Sequence, residues 1–265
     1  MSRPVRILLL VISAVQAVFA VLFLVQSPLA MSVWPIPDTT PLTYIFLSSI
    51  FAAAAASTAW CALLNIRGAL VGIALDYIVI FAPLTVYMLQ ISGEVGPGAA
   101  AYAVALFLGV LFGLWMLRYG LGSPITDPRP NPLLVRVSFA VIILALLWVG
   151  VQMVLHTPNV IPWNVTGNGV VMGWIYLGAA AYFGYALIRP SWHNAGGQLA
   201  GFLAYDLILI VPFLQRLPTV ADEFRTNLII YTIVVIYSGV LAVYFLFLHP
   251  STRIWNELRA GLRNW

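Results

Sequence analysis

The sequence predicts an all-α integral membrane protein. Eight transmembrane helices form two tandem, parallel four-helix repeats with both termini cytoplasmic, and a short amphipathic interfacial helix follows. Three observations lead there. Hydrophobic residues make up 62% of the 265 and charged residues 8%, against roughly 25% charged in soluble domains, so no water-covered fold could hide the apolar surface. Eight apolar stretches follow one another, each near the ~20 residues that a spanning helix needs. The second half then repeats the first in a fixed register.

The first stretch covers residues 6–27, behind Arg3 and Arg6. Its apolar run from Ile7 to Val25 exceeds the roughly 7 to 15 residues of a secretory leader. A counterpart recurs mid-chain, so the segment is expected to remain as a spanning helix. Residues 42–64, 68–91 and 99–118 supply the next three helices. Gly120 to Pro132 then carries four prolines, a stiff linker that cannot continue a helix. Residues 134–155, 169–188, 196–216 and 227–248 supply the last four. The expected organisation is a first repeat at 1–119, a cytoplasmic linker at 120–132, a second repeat at 133–249 and an interfacial helix at 250–265.

At an offset of 129, Asn65 pairs with Asn194, Gly68 with Gly197, Gly72 with Gly201, Pro83 with Pro212, Glu94 with Glu223 and Tyr102 with Tyr231. At 130, Arg6 pairs with Arg136 and Pro28 with Pro158. Shared leucines would mean little in so apolar a chain, but Asn, Pro and Glu are rare inside lipid. An even number of helices per repeat makes the copies parallel, related by a pseudo-twofold axis along the membrane normal.

All twelve basic residues are arginine. With the N-terminus inside, ten of them fall on the cytoplasmic side, and only Arg216 and Arg225 remain outside. This is a strong positive-inside bias. It implies a multi-pass cell-membrane protein, with a bacterial inner membrane the expected setting. After Pro250, the spacing of Trp255, Leu258, Leu262 and Trp265 puts an apolar face on the terminal helix, with Arg253, Arg259 and Arg263 elsewhere around it. That is the pattern of a lipid-surface anchor.

The absence of lysine excludes Schiff-base chemistry on a lysine. The single cysteine, Cys61, lies in an apolar stretch and reads as a packing residue. His156 falls at an outer helix end while His193 and His249 fall at cytoplasmic ends, so no pair can span a haem, and no cluster suggests a metal. Asn164-Val165-Thr166 forms a glycosylation triplet without further support. Tyr205-Asp206 matches one motif of presenilin-like aspartyl proteases, but Gly72-Ile73-Ala74-Leu75-Asp76 lacks their Gly-x-Gly-Asp. No catalytic set emerges, which argues against an enzyme, and no motif implies a cofactor.

The candidate site therefore rests on polarity inside the membrane. Asp76 and Asp206 lie near the middle of the third and seventh spans, where an aspartate costs about 2.5–3.5 kcal/mol on insertion scales and is expected to face protein or a watery cavity. Each has a tyrosine neighbour, but in reversed order, Asp76-Tyr77 and Tyr205-Asp206. Two dissimilar positions are thus expected rather than a symmetric acid pair. Gly68, Gly72, Gly197 and Gly201 have the spacing of close helix packing, and Pro83 and Pro212 each free a carbonyl one turn earlier. Trp34 and Trp163 mark the outer loops, as interfacial anchors or as a lid over a pocket.

Small-molecule or ion binding or transport by these aspartates and tyrosines is the leading expectation. An accessory subunit of a larger membrane complex, with the aspartates as internal braces, is the alternative, and a lipid-modifying enzyme comes last. Expected partners are the bilayer itself and a second copy or larger complex. Nothing points to nucleic acid.

Overall fold

The computed structural model describes residues 1–123, 127, 129–165 and 167–255. The described residues form helices without strands: α1 (Arg3–Leu24), α2 (Pro28–Val33), α3 (Pro41–Leu63), α4 (Leu70–Val95), α5 (Pro97–Gly120), α6 (Leu133–Val154), α7 (Gly169–Ile188), α8 (Trp192–Arg216) and α9 (Asp222–Val243). A wide π-turn, Tyr244–Leu248, continues α9. All but α2 are long and apolar enough to cross a membrane, which gives eight spans among the described residues. The predicted terminal helix begins at Ile254 and Trp255. Its remaining positions, including Leu258, Leu262 and Trp265, lie outside the described residues.

Local chemistry sets the helix ends. Prolines occupy the first turns of α1, α2, α3 and α5, where a missing N–H removes no helical bond. α9 starts at Asp222, ahead of the apolar run, because Asp222 and Glu223 suit the positive end of the helix dipole. α8 starts four residues before its apolar run, at Trp192. Its free end is met by the linker, since the Trp192 N–H donates to the Arg129 carbonyl at 3.0 Å.

Helix pairing is orderly. α1 lies on α3, α5 on α4, α6 on α7 and α9 on α8, while α3 packs against α8 and α4 against α7. α3, α4, α7 and α8 are thus central and the other four flank them. Small residues make the central contacts close. A Cβ on Gly72 would lie 2.9 Å from the Tyr182 ring, and one on Gly201 would lie 2.6 Å from Ser57 Oγ. Ser57 donates to the Gly197 carbonyl at 3.1 Å and Tyr185 to the Gly68 carbonyl at 3.3 Å. All four predicted glycines therefore belong to contacts inside the chain. α4 and α8 run through Pro83 and Pro212 without ending.

One end of the bundle gathers Met1, residues 64–69, Asp127 and Arg129 of the linker, and residues 249–255. Buried Arg6 donates to the Ala62 and Leu63 carbonyls at 3.0 and 3.2 Å, meeting the free acceptors and negative dipole of the α3 C-terminus. The Asn65 side chain accepts from the Met1 ammonium at 2.5 Å. In the linker, Arg129 grips Asp127 through two bonds of 2.9 Å and reaches the Ser251 carbonyl at 2.6 Å, while His193 Nε2 lies 3.4 Å from Asp127. Burial alone would raise the Asp127 carboxyl. The Arg129 hydrogen bonds, with His193 nearby, outweigh it and hold the group below the usual carboxylate value.

Candidate functional site

Between the central helices and one flank lies a cavity of about 590 Å³, within the roughly 300–1,000 Å³ of small-molecule sites. Its walls come from α3, α4, α7 and α8, together with α6 and α9, whereas α1 and α5 contribute no lining residue. Most of the surface is aliphatic or aromatic. Its polar groups include Asp76, Asp206 and Ser57, the phenols of Tyr176, Tyr205 and Tyr231, and, towards its two ends, Asn227 and Gln198. Among the described residues no arginine or histidine lines it, so no basic side chain stands opposite the two carboxyl groups.

Both predicted aspartates reach this one cavity, and the reversed Asp and Tyr order turns them towards different helices. A helical step of about 100° turns adjacent residues to different neighbours. Asp76 faces α7, where a Cβ on Gly178 would lie 2.7 Å from its Oδ1, and Asp206 faces α9, whose Gly239 position is 3.6 Å from its Oδ2. α7 and α9 both border the cavity. Tyr77, the next residue on α4, also lines the cavity, while its Cβ abuts Gly113 of α5 and its hydroxyl pairs with Gln16 of α1.

The two carboxylates differ in their surroundings. Asp76 is partly buried. Asp206 is 3% exposed, and neither of its oxygens meets a hydrogen-bond donor among the described residues. The nearby Ser238 hydroxyl spends its proton on the Val234 carbonyl at 2.8 Å. A buried carboxylate without donors is unfavourable, and in a cavity wall it marks where a cation, a proton or a donor group gains most.

Beside Asp206 the phenols form a chain. Tyr176 and Tyr231 hydroxyls are 2.9 Å apart, and Tyr205 bonds to Tyr231 in turn. Trp163, expected at the lipid boundary or over a pocket, is buried, stacks on Tyr231 and donates to Thr43 Oγ1 at 3.1 Å. Trp34 meets Tyr102 edge-on and donates to Asn168 Oδ1 at 3.0 Å. The loop after α6 thus belongs to the roof, with Val160, Ile161 and Pro162 among the lining residues. Asn227 of α9 holds that loop by donating to the Asn159 carbonyl at 2.6 Å.

Sequence reasoning missed Tyr176, Tyr182 and Asn227 as parts of the site. Tyr176 and Tyr182 sit in the apolar run of α7 with no charged neighbour to draw attention. Tyr231 stood out only as the register mate of Tyr102. Among the described residues no three His, Cys, Asp or Glu side chains gather closely enough to hold a metal ion. The chain matches no protein-family model, no curated protein and no solved structure.

Proposed function

We propose that the protein binds, and passes across or along the membrane, a small amphiphilic molecule with a cationic or hydrogen-bond-donating end. One observation carries this reading: a cavity of small-molecule size touches both intramembrane carboxylates and carries no opposing basic side chain. Apolar walls would take the body of the ligand, and Asp206, Asp76 and the tyrosine hydroxyls its polar end. The accessory-subunit alternative uses the aspartates as packed braces, which fits less well with two unpartnered carboxylate oxygens on a cavity wall.

The test is equilibrium binding of an alkylammonium to the purified protein in nanodiscs. Saturable binding is expected, weakened ten- to a hundredfold by Asp206→Asn, in line with about 1.5–3 kcal/mol for a charged hydrogen bond. Asp76→Asn should weaken it less, because that carboxyl is only partly buried whereas both Asp206 oxygens are enclosed without a donor. Binding that ignores both changes sinks the proposal.

The same reading includes the architecture inferred from sequence. α1 and α6 start and end 130 residues apart, and each is closed by a left-handed residue, Gln26 or His156. The pairing of α1 with α3 is matched by that of α6 with α7, and the contact of α3 with α8 by that of α7 with α4. These correspondences favour two tandem copies, residues 1–119 and 133–249, whose central helices pack across the pseudo-twofold axis. The arginine distribution favours cytoplasmic termini. Labelling of a cysteine placed at Ser2 by a membrane-impermeant reagent in intact cells would overturn that orientation.

A further inference from the structure

We infer that the ligand reaches the cavity from within the bilayer, sideways between α6 and α9, and so belongs to the membrane-dissolved amphiphiles rather than to water-soluble solutes. The inference rests on the binding reading above and adds the entrance and the ligand class.

The argument follows the walls in turn. At the end away from the termini the cavity is covered by the loop after α6, whose Val160, Ile161 and Pro162 face inward. That cover is fastened on both sides. Asn227 ties it to α9, and Thr157 donates to Gln152 of α6 at 2.7 Å. Towards the termini, Gln198 Nε2 donates to the Tyr182 carbonyl at 2.5 Å and joins α8 to α7, while Gly72 and Gly201 bring the central helices into contact. Hydrogen bonds thus brace the cavity at both of its ends.

The side facing α6 and α9 differs. These helices flank the core on separate partners, α6 on α7 and α9 on α8. Several of their residues line the cavity and are also open to the outside: Val141 is 62% exposed, Trp148 67% and Ile230 55%. A residue that borders a cavity and the protein exterior at once stands at its mouth. Val141 and Trp148 lie eight and fifteen residues into α6, some 12 and 22 Å along it at about 1.5 Å per residue, so the mouth opens at hydrocarbon depth. Its rim is mostly aliphatic and aromatic, with exposed Thr157 at the outer end, and the two carboxyl groups lie deeper. A molecule entering there must already be dissolved in lipid and arrives with its polar end seeking Asp206. The cavity's size suits one compact chain rather than a whole two-chain phospholipid.

The experiment measures association by tryptophan fluorescence in nanodiscs, with dodecylammonium as the lipid-partitioning probe and ethylammonium as its water-soluble homologue. Val141→Phe and Ile230→Phe narrow the mouth at positions where lipid-facing bulk is tolerated, and Val86→Phe, on the exposed face of α4 away from the cavity, is the control. Dodecylammonium should bind the wild type. The mouth variants should slow its association and dissociation together by about tenfold, leaving the Kd within about twofold, and the control should match the wild type. If association is unslowed while Asp206→Asn still weakens binding, the side entrance fails and the binding reading stands. Ethylammonium reaching the site as readily as dodecylammonium also overturns the entrance. If neither probe binds, both readings fall.

Discussion

Where α1 meets α4 and α3 in the first half of the chain, Gln16 reaches the Tyr77 hydroxyl and Phe19 stacks on Phe51. At the matching register positions of the second half stand Leu146 and Val149 on α6, Asp206 on α8 and Ala180 on α7. Three aromatic rings give way to Val149, Ala180 and the carboxyl of Asp206, which has no donor, and the paired amide gives way to Leu146. The helices keep the same neighbours in both halves, so backbone packing alone does not make the cavity. Side-chain volume does. The lesson is that two halves with matching helix contacts can differ in how fully side chains fill them, because interiors are close-packed and a missing ring leaves space that neighbours cannot fully reclaim.

The most forceful way to break this contrast is to refill the second half with the residues of the first. Leu146→Gln combined with Val149→Phe should abolish saturable alkylammonium binding, a loss of at least a hundredfold by equilibrium titration, while far-UV circular dichroism stays that of a folded helical protein. Undiminished binding would show that the cavity is not where the ligand sits.

A smaller effect concerns how tightly each aspartate is held. A Cβ at Gly178 would meet Ile80 Cγ1 at 2.3 Å and Asp76 Oδ1 at 2.7 Å, whereas one at Gly239 meets Asp206 only at ordinary contact distance. Gly178→Ala should therefore destabilise the protein by about 1–3 kcal/mol through overpacking, and Gly239→Ala should fall within about 0.5 kcal/mol of the wild type. Reversible unfolding in mixed micelles would measure both. Equal effects would mean that α4 and α8 hold their carboxylates alike.

The smallest effect lies in the clamp of Asp127 by Arg129 in the linker between the halves. The Asp127 carboxyl is held below its ordinary value, so its contribution to stability is present above the unfolded value of about 3.9 and is lost as pH falls through the folded one. Stability should change little through this group between pH 7 and 5 and decline below about pH 4. Asp127→Asn should flatten that decline, as followed by thermal melts across the acid range.

Much of the molecule was legible before any coordinate. Composition and apolar run length announced the eight spans because a helix is the simplest way to satisfy backbone hydrogen bonds in lipid. Asp76 and Asp206 stood out because charge at that depth is rare. The cavity was not legible, since its emptiness depends on which of many aliphatic and aromatic residues face one another across helices far apart in sequence. Tyr176 and Tyr231, 55 residues apart, meet hydroxyl to hydroxyl. Trp163 illustrates the same gap, being a loop tryptophan by sequence and a buried partner of Tyr231 in the fold.

The sequence by itself determined the helices, their order and the two carboxylates placed inside them, because hydrophobicity and charge act residue by residue. Only the tertiary structure decided that both carboxylates share one cavity and that its mouth lies between α6 and α9. Volume and hydrogen bonding act between residues that the chain brings together only once it has packed.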